Sequence, residues 1–214
     1  MEILDYLLHI DQHLKHLLVF YPQWFYIALF CIIFIETGVV IMPFLPGDSL
    51  LFATGMLASA FPEDITLITA IMILWFAAIL GDTVNYSIGK YLGNKIITKK
   101  VFGVRIIKDE DILKTSDFFE KYGAKTIVIA RFVPVVRTLA PFVAGISNMH
   151  YGKFIQFNII GGTVWVSVLT LAGYFLGRIP FIKDNFEIMV FVIIFFSLIP
   201  LMVEFINNKR IKKR

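Results

Sequence analysis

Four ionisable side chains stand in segments that are otherwise apolar. Glu36 and Asp48 are the only charges in the stretch 24–61, and Arg131 and Arg137 are the only charges in the stretch 126–147. An ionised group near a bilayer centre costs roughly 2.5–3.5 kcal/mol even on a lenient insertion scale. Four such groups are tolerable only if they face one another or water. Two negatives on one segment and two positives on the other therefore predict that the two segments meet. Guanidinium stays charged in any environment, and its planar fork matches the oxygens of a phosphate or a carboxylate. A carboxylate can be neutralised by a proton, because desolvation disfavours its charged form. One site with both types can hold an anionic head group and respond to protons. The same four residues also admit a static ion-pair lock. The two readings overlap, since a lock that opens is a gate.

Further polar groups lie nearby in sequence. Asp48 follows a Pro-Gly break and precedes Ser49, which suits an N-cap. Free backbone N–H groups and a helix N-terminus at that break also suit a phosphate. Asp82 and Asn85 are secondary cavity candidates, with Asp82 equally open to a snorkelling place at the interface. His9, His13 and His16 share one helix face, read as a polar interfacial face; no metal site is expected. The single cysteine, Cys31, excludes a disulfide framework, a Cys-rich zinc site and a CxxC redox centre, and its apolar run predicts burial. No HExxH, P-loop or GxSxG elbow is present. The chain is therefore not expected to be an enzyme, and no cofactor is implied.

The elements that must carry these residues follow from composition. The 214 residues are 58% hydrophobic and 17% charged, against about 45–50% and about 25% in a soluble domain. Mean hydropathy is +0.78. This predicts an all-α polytopic membrane protein, a single membrane domain over 1–214. Residues 1–22 read as an amphipathic helix lying in the interface, with Trp24 and Tyr26 as interfacial anchors. Residues 24–61 read as a first broken-helix hairpin, interrupted at Pro43, Pro46 and Gly47. Such backbone is tolerated at membrane depth only inside protein or beside a cavity. A transmembrane helix is expected over 65–92, and an aqueous loop with a helix near 109–121 over 94–125. A second re-entrant hairpin, broken at Pro134 and Pro141, is expected over 126–147. Spans over 153–178 and 185–206 and a basic tail over 207–214 complete the chain. Of the 20 Lys and Arg, nine lie between Lys90 and Lys125 and five in the last six residues. That distribution puts the 94–125 loop and the C-terminus in the cytoplasm and argues against a nucleic-acid face. The two hairpins then enter from opposite sides.

A weak internal repeat agrees with this plan. Pro43, Pro46 and Gly55, then Gly81-Asp82-Thr83-Val84, then Gly89 and Gly93 recur as Pro134, Arg137 and Gly145, then Gly161-Gly162-Thr163-Val164, then Gly173 and Gly177. Paired Pro/Gly-interrupted apolar segments point to an inverted repeat with a site near the midplane. The Gly89–Gly93 and Gly173–Gly177 pairs predict close helix packing.

Glu36-Thr-Gly-Val-Val with Pro43-Phe-Leu-Pro-Gly-Asp-Ser-Leu-Leu-Phe resembles the signature of the DedA family of bacterial inner-membrane (SNARE-associated, VTT-domain) proteins. The blocks Gly81–Gly89 and Lys121–Gly145 resemble two further signatures, so the likeness runs from about residue 3 to 210. The resemblance implies two facing re-entrant hairpins and a part in membrane lipid homeostasis. It also implies translocation of undecaprenyl phosphate or phosphatidylethanolamine with dependence on the proton motive force. The residues it implies as essential fall on Glu36, Asp48, Arg131 and Arg137. The expected function is thus a lipid transporter or flippase for undecaprenyl phosphate or a glycerophospholipid. Arg131, Arg137, Glu36 and Asp48 would bind substrate, and Glu36 and Asp48 would couple protons. The expected partners are membrane lipids, protons and possible further copies of the chain. The alternative is a proton-coupled antiporter of small cations or drugs, and a weaker one is a non-transporting scaffold.

Overall fold

A computed structural model describes residues 22–39, 47–98, 100–101, 104–105 and 109–180. The expected interfacial helix (apart from Pro22), the three histidines, the Pro43–Pro46 break, the 185–206 span and the basic tail lie outside the described residues.

The described chain is helical apart from one small pairing. In order come α1 (Pro22–Gly38), α2 (Gly47–Ala60) and α3 (Leu67–Thr98), then a two-residue pair β1 (Lys100–Val101) and β2 (Val104–Arg105). They are followed by α4 (Asp109–Tyr122), α5 (Thr126–Ile129), α6 (Pro134–Ile146) and α7 (Tyr151–Gly177). β1 and β2 pair antiparallel. Among the described residues two helices are long and apolar enough to cross a membrane: Leu67–Gly93 in α3 and α7, each of 27 residues with mean hydropathies of 2.1 and 1.8. At 1.5 Å per residue each reaches about 40 Å, more than the hydrocarbon core of about 30 Å. Ile68, Met72, Phe76, Leu80 and Val84 form an exposed apolar stripe at every fourth position of α3. Ile160, Val164 and Val168 do the same on α7. Stripes of this kind suit lipid and not water.

The segment 126–147 breaks once and not twice. After α5 a 3₁₀ turn covers Ala130–Phe132, Val133 is extended, and α6 starts with Pro134 in its first turn. That position suits proline, whose missing N–H would lack a helical partner anyway. Pro141 lies inside α6 and does not end it, which corrects the expected second break. Cys31 is exposed, against the expected burial; it shares an outward face of α1 with Ile27 and Ile35, while Leu29 and Ile33 of the same run are buried. Tyr26 accepts a hydrogen bond from the Thr66 N–H, so it ties two segments together, whereas Trp24 is exposed.

The chain falls into two compact units. One holds the chain to Leu29, Pro46–Ile71 and Val168 onward, and the other holds Phe30–Leu45 and Met72–Ser167. Within the first unit, α2 lies against α7 so closely that a Cβ on Gly55 would overlap the Thr170 carbonyl and crowd the Tyr174 nitrogen. A Cβ on Gly173 would overlap the Phe52 carbonyl. Within the second unit, α6 lies against α3 in the same register. A Cβ on Gly145 would overlap the Tyr86 carbonyl and crowd the Lys90 nitrogen, and one on Gly89 would overlap the Phe142 carbonyl. Each short helix thus interlocks with a long helix of the other sequence half through one glycine on each side. This is the close packing expected of the glycine pairs. Gly145→Ala forces a methyl into backbone that cannot step aside. The expected cost is about 2–3 kcal/mol, seen as a fall in melting temperature of about 5–10 °C in detergent. Gly38→Ala, whose Cβ would come no nearer than 3.4 Å to Gly81, is the mild control.

Candidate functional site

Four charged residues of the second unit, Glu36, Asp82, Arg131 and Arg137, converge on its interior. α1 ends at Gly38, and Glu36 stands in its last turn, 4% exposed. α6 begins at Pro134, and Arg137 stands near its start. Arg137 Nη2 donates to Glu36 Oε1. A carboxylate near a helix C-terminus and a guanidinium near a helix N-terminus each sit at the unfavourable end of the helix dipole. Their mutual attraction is what offsets that placement. This is the meeting of the two segments that their charges predicted.

Arg131 pairs elsewhere. It lies in the 3₁₀ turn before α6, and its Nη2 donates to Asp82 Oδ2 of α3 and, at 2.6 Å, to Asn158 Oδ1 of α7. Asn158 Nδ2 in turn donates to the Ile79 carbonyl at 3.1 Å. Asp82 is therefore a buried partner and not a snorkelling interface residue. It replaces the first-segment carboxylates as the counter-charge of Arg131. Room for the guanidinium comes from Gly161 and Gly162. A Cβ on Gly161 would stand 3.0 Å from Arg131 Nε, and one on Gly162 would stand 3.6 Å from Nη2. Among the described residues Arg131 Nε, though buried, has no hydrogen-bond partner.

Trp165 joins the two pairs. The centre of its ring lies 4.6 Å from Arg137 Cζ and 5.5 Å from Arg131 Cζ, and the side chain is fully buried. Asn85, the other secondary candidate, is fully buried too. Its Nδ2 donates to the carbonyls of Thr37 (3.1 Å) and Thr138 (2.9 Å), so it staples α1 to α6 beside the charged groups. Its Oδ1 has no hydrogen-bond partner among the described residues. With both amide hydrogens aimed at carbonyls, the amide orientation is fixed, because the flipped form would set oxygen against oxygen.

Asp48 belongs to the other unit, where it is exposed in the first turn of α2. A carboxylate is well placed in the first turn of a helix. No group of three or more His, Cys, Asp or Glu able to hold a metal occurs among the described residues.

Asn158, Gly161, Gly162 and Trp165 escaped the sequence reading, except that the glycines entered the repeat. The signal was present. The four positions follow at i, i+3, i+4 and i+7, one face of a helix, and that face combines an amide, a gap and an indole. Such a face is shaped for a guanidinium.

The chain resembles known proteins along most of its length. The VTT domain family matches residues 45–175. Protein DedA of Escherichia coli is 46% identical over 212 residues, covering 99% of this chain and 96% of that protein. An uncharacterized membrane protein of Mycobacterium tuberculosis is 42% identical over 176 residues, 82% of this chain and 76% of the relative. Inner membrane protein YqjA of Escherichia coli is 38% identical over 170 residues, 77% and 73% of the two chains. No solved structure matches significantly.

Proposed function

The chain belongs to the DedA family of VTT-domain membrane proteins, and from that premise we propose that it moves a phosphate-bearing lipid across the bacterial inner membrane. Undecaprenyl phosphate is the first candidate and a glycerophospholipid the second. The observation that carries this reading is the pair of arginines, Arg131 buried and Arg137 half-buried, each already holding a carboxylate. A phosphate presents oxygens to a guanidinium as a carboxylate does. Replacing one by the other therefore exchanges charge for charge and leaves no ion stranded.

The two pairs have different tasks. Arg131 is held by Asp82, Asn158 and the glycine gap together, so it is the fixed anchor. Arg137 is held by Glu36 from a different helix end, so it is the exchanging arm. Protonation of Glu36 releases Arg137 to the phosphate, and return of the carboxylate expels the head group. Asp48 is the second proton-responsive carboxylate, on the exposed first turn of α2. The transport scaffold is an inverted repeat of two re-entrant hairpins, each with a long helix. The equal glycine registers of α2 on α7 and α6 on α3 support this. So do the lengths of α1 and α6, 17 and 13 residues, or about 25 and 20 Å, short of the hydrocarbon thickness. The lipid tails stay in the bilayer while the head group is passed on by the arginines.

Proteoliposomes test the reading against small-cation exchange. Purified protein is reconstituted with a pH-sensitive dye inside and an imposed pH gradient, and labelled lipids and candidate cations are offered in parallel. Movement of a phosphate-bearing lipid, with no cation dissipating the gradient, is expected. Cation-for-proton exchange without lipid movement would overturn the proposal in favour of an antiporter.

A further inference from the structure

We propose that the outward face of α3 between Thr83 and Leu92 holds one chain of an anionic two-chain phospholipid, with the phosphate of that lipid at Lys90. The site is separate from the arginine pairs and does not draw on the transport reading. Its walls are Thr83, Val84, Ser87, Ile88, Tyr91 and Leu92, which border an open hollow of about 290 Å³. These residues form two rows along the helix, each at every fourth position, so neighbours in a row stand one above the other. Thr83 and Ser87 are short, whereas Tyr91 in the same row is long and 75% exposed. The hollow is the volume that two short side chains leave among longer ones.

Within the hollow the occupant must be apolar. Thr83 Oγ1 donates to the Ile79 carbonyl at 2.7 Å, and Ser87 Oγ donates to the Thr83 carbonyl at 2.8 Å. Both hydroxyls are thus engaged by their own helix. Val84 ends the exposed stripe that begins at Ile68, and Ile88 stands one turn further on. The hollow is therefore continuous with the surface that suits lipid. From Thr83 to Leu92 α3 rises about 14 Å, close to half the hydrocarbon thickness of about 30 Å. That is the reach of one chain in one leaflet.

The mouth specifies the head group. The apolar span ends at Gly93, so Lys90 and Tyr91 stand where hydrocarbon gives way to head groups. Lys90 is exposed, its Nζ lies 5.9 Å from the Tyr91 ring centre, and no ion pair engages it among the described residues. A lysine at that depth attracts anionic lipid, and a tyrosine ring suits the same level. The glycine registers supply a contrast within the chain. Tyr86 and Lys90 of α3 stand against Gly145 as Thr170 and Tyr174 of α7 stand against Gly55. In that register Leu171 corresponds to Ser87 and Tyr174 to Lys90. The α7 counterpart carries bulk where α3 is hollow.

The test uses nanodiscs of phosphatidylglycerol or of phosphatidylcholine, each with a trace of the same lipid carrying a diazirine in one chain. After photolysis, labelled peptides are located by mass spectrometry, with label at Ile68, Met72 and Phe76 as the bulk-lipid reference. Label over 83–92 is expected to be about fivefold stronger with phosphatidylglycerol, the effect of one lysine at a membrane surface. Lys90→Gln should remove that preference. Ser87→Leu, which copies α7, should lower the label over 83–92 at least about tenfold in both lipids, because leucine occupies the hollow. Its melting should match wild type; if it does not, Lys90→Gln carries the test alone. Equal label from both lipids, or label that persists in a folded Ser87→Leu, would show only bulk lipid on this face and overturn the proposal. A second copy seated in the hollow would overturn it too. That arrangement would give a disulfide-linked dimer of Ser87→Cys with Cys31→Ser in membranes, whereas the proposal predicts none.

Discussion

Arg131→Ala is expected to destabilise the protein by about 3–5 kcal/mol, the usual cost of removing one partner of a buried ion pair. The loss falls on several groups at once. Asp82 is left buried in α3 without its counter-charge, since both side chains are almost fully shielded. Asn158 Oδ1 loses its donor, and the space beside Gly161 and Gly162 is left empty. Thermal unfolding in detergent should show a clearly lower midpoint than for wild type. The double variant Arg131→Met with Asp82→Leu should recover most of the loss, because apolar residues of similar volume replace a buried pair at little cost. Equal melting of wild type and Arg131→Ala would mean that the pair is solvated in the membrane and is not an anchor.

Arg137→Lys separates the fork from the charge. Lysine keeps the positive charge beside Glu36 and on the Trp165 ring but presents a single ammonium. The fold is expected to survive, with melting near wild type. Transport is expected to fall about a hundredfold, equivalent to about 3 kcal/mol for a hydrogen bond to a charged group made only with the phosphate. Retention of full transport would show that Arg137 acts as a point charge and that phosphate recognition by its fork is wrong.

The charges were the most legible part of the site. An ionised group in an apolar run demands an opposite partner, so the meeting of the Glu36 segment with the Arg137 segment was legible on cost alone. The partner of Arg131 could not. Cost arguments say that a buried cation needs an anion but not which one, and Asp82 reaches it only because α3 and the 3₁₀ turn before α6 converge. The starts of the long helices were legible for a related reason, whereas α3 runs on to Thr98, six residues past the expected 92 and into the expected loop. Apolar length fixes a span, and the observed α3 and α7 start within two residues of the expected 65 and 153. Pro141 misled because proline disfavours a helix interior without forbidding it. α6 packs its glycine-bearing face on α3 across that residue, and tertiary packing overrides the local preference. Trp165 and Asn158 were hidden by their ordinariness. An indole and an amide in an apolar helix attract attention only when read as one face with the glycines between them.

The most direct measurement of the central claim is head-group accessibility in proteoliposomes. Labelled undecaprenyl phosphate, phosphatidylethanolamine and phosphatidylglycerol are followed side by side, with and without a pH gradient, for wild type, Glu36→Gln and Arg137→Lys. The account predicts that wild type moves at least one phosphate-bearing lipid and that Arg137→Lys nearly abolishes this. It also predicts that Glu36→Gln removes the response to the gradient. A folded, reconstituted wild-type protein that moves none of the three would contradict it.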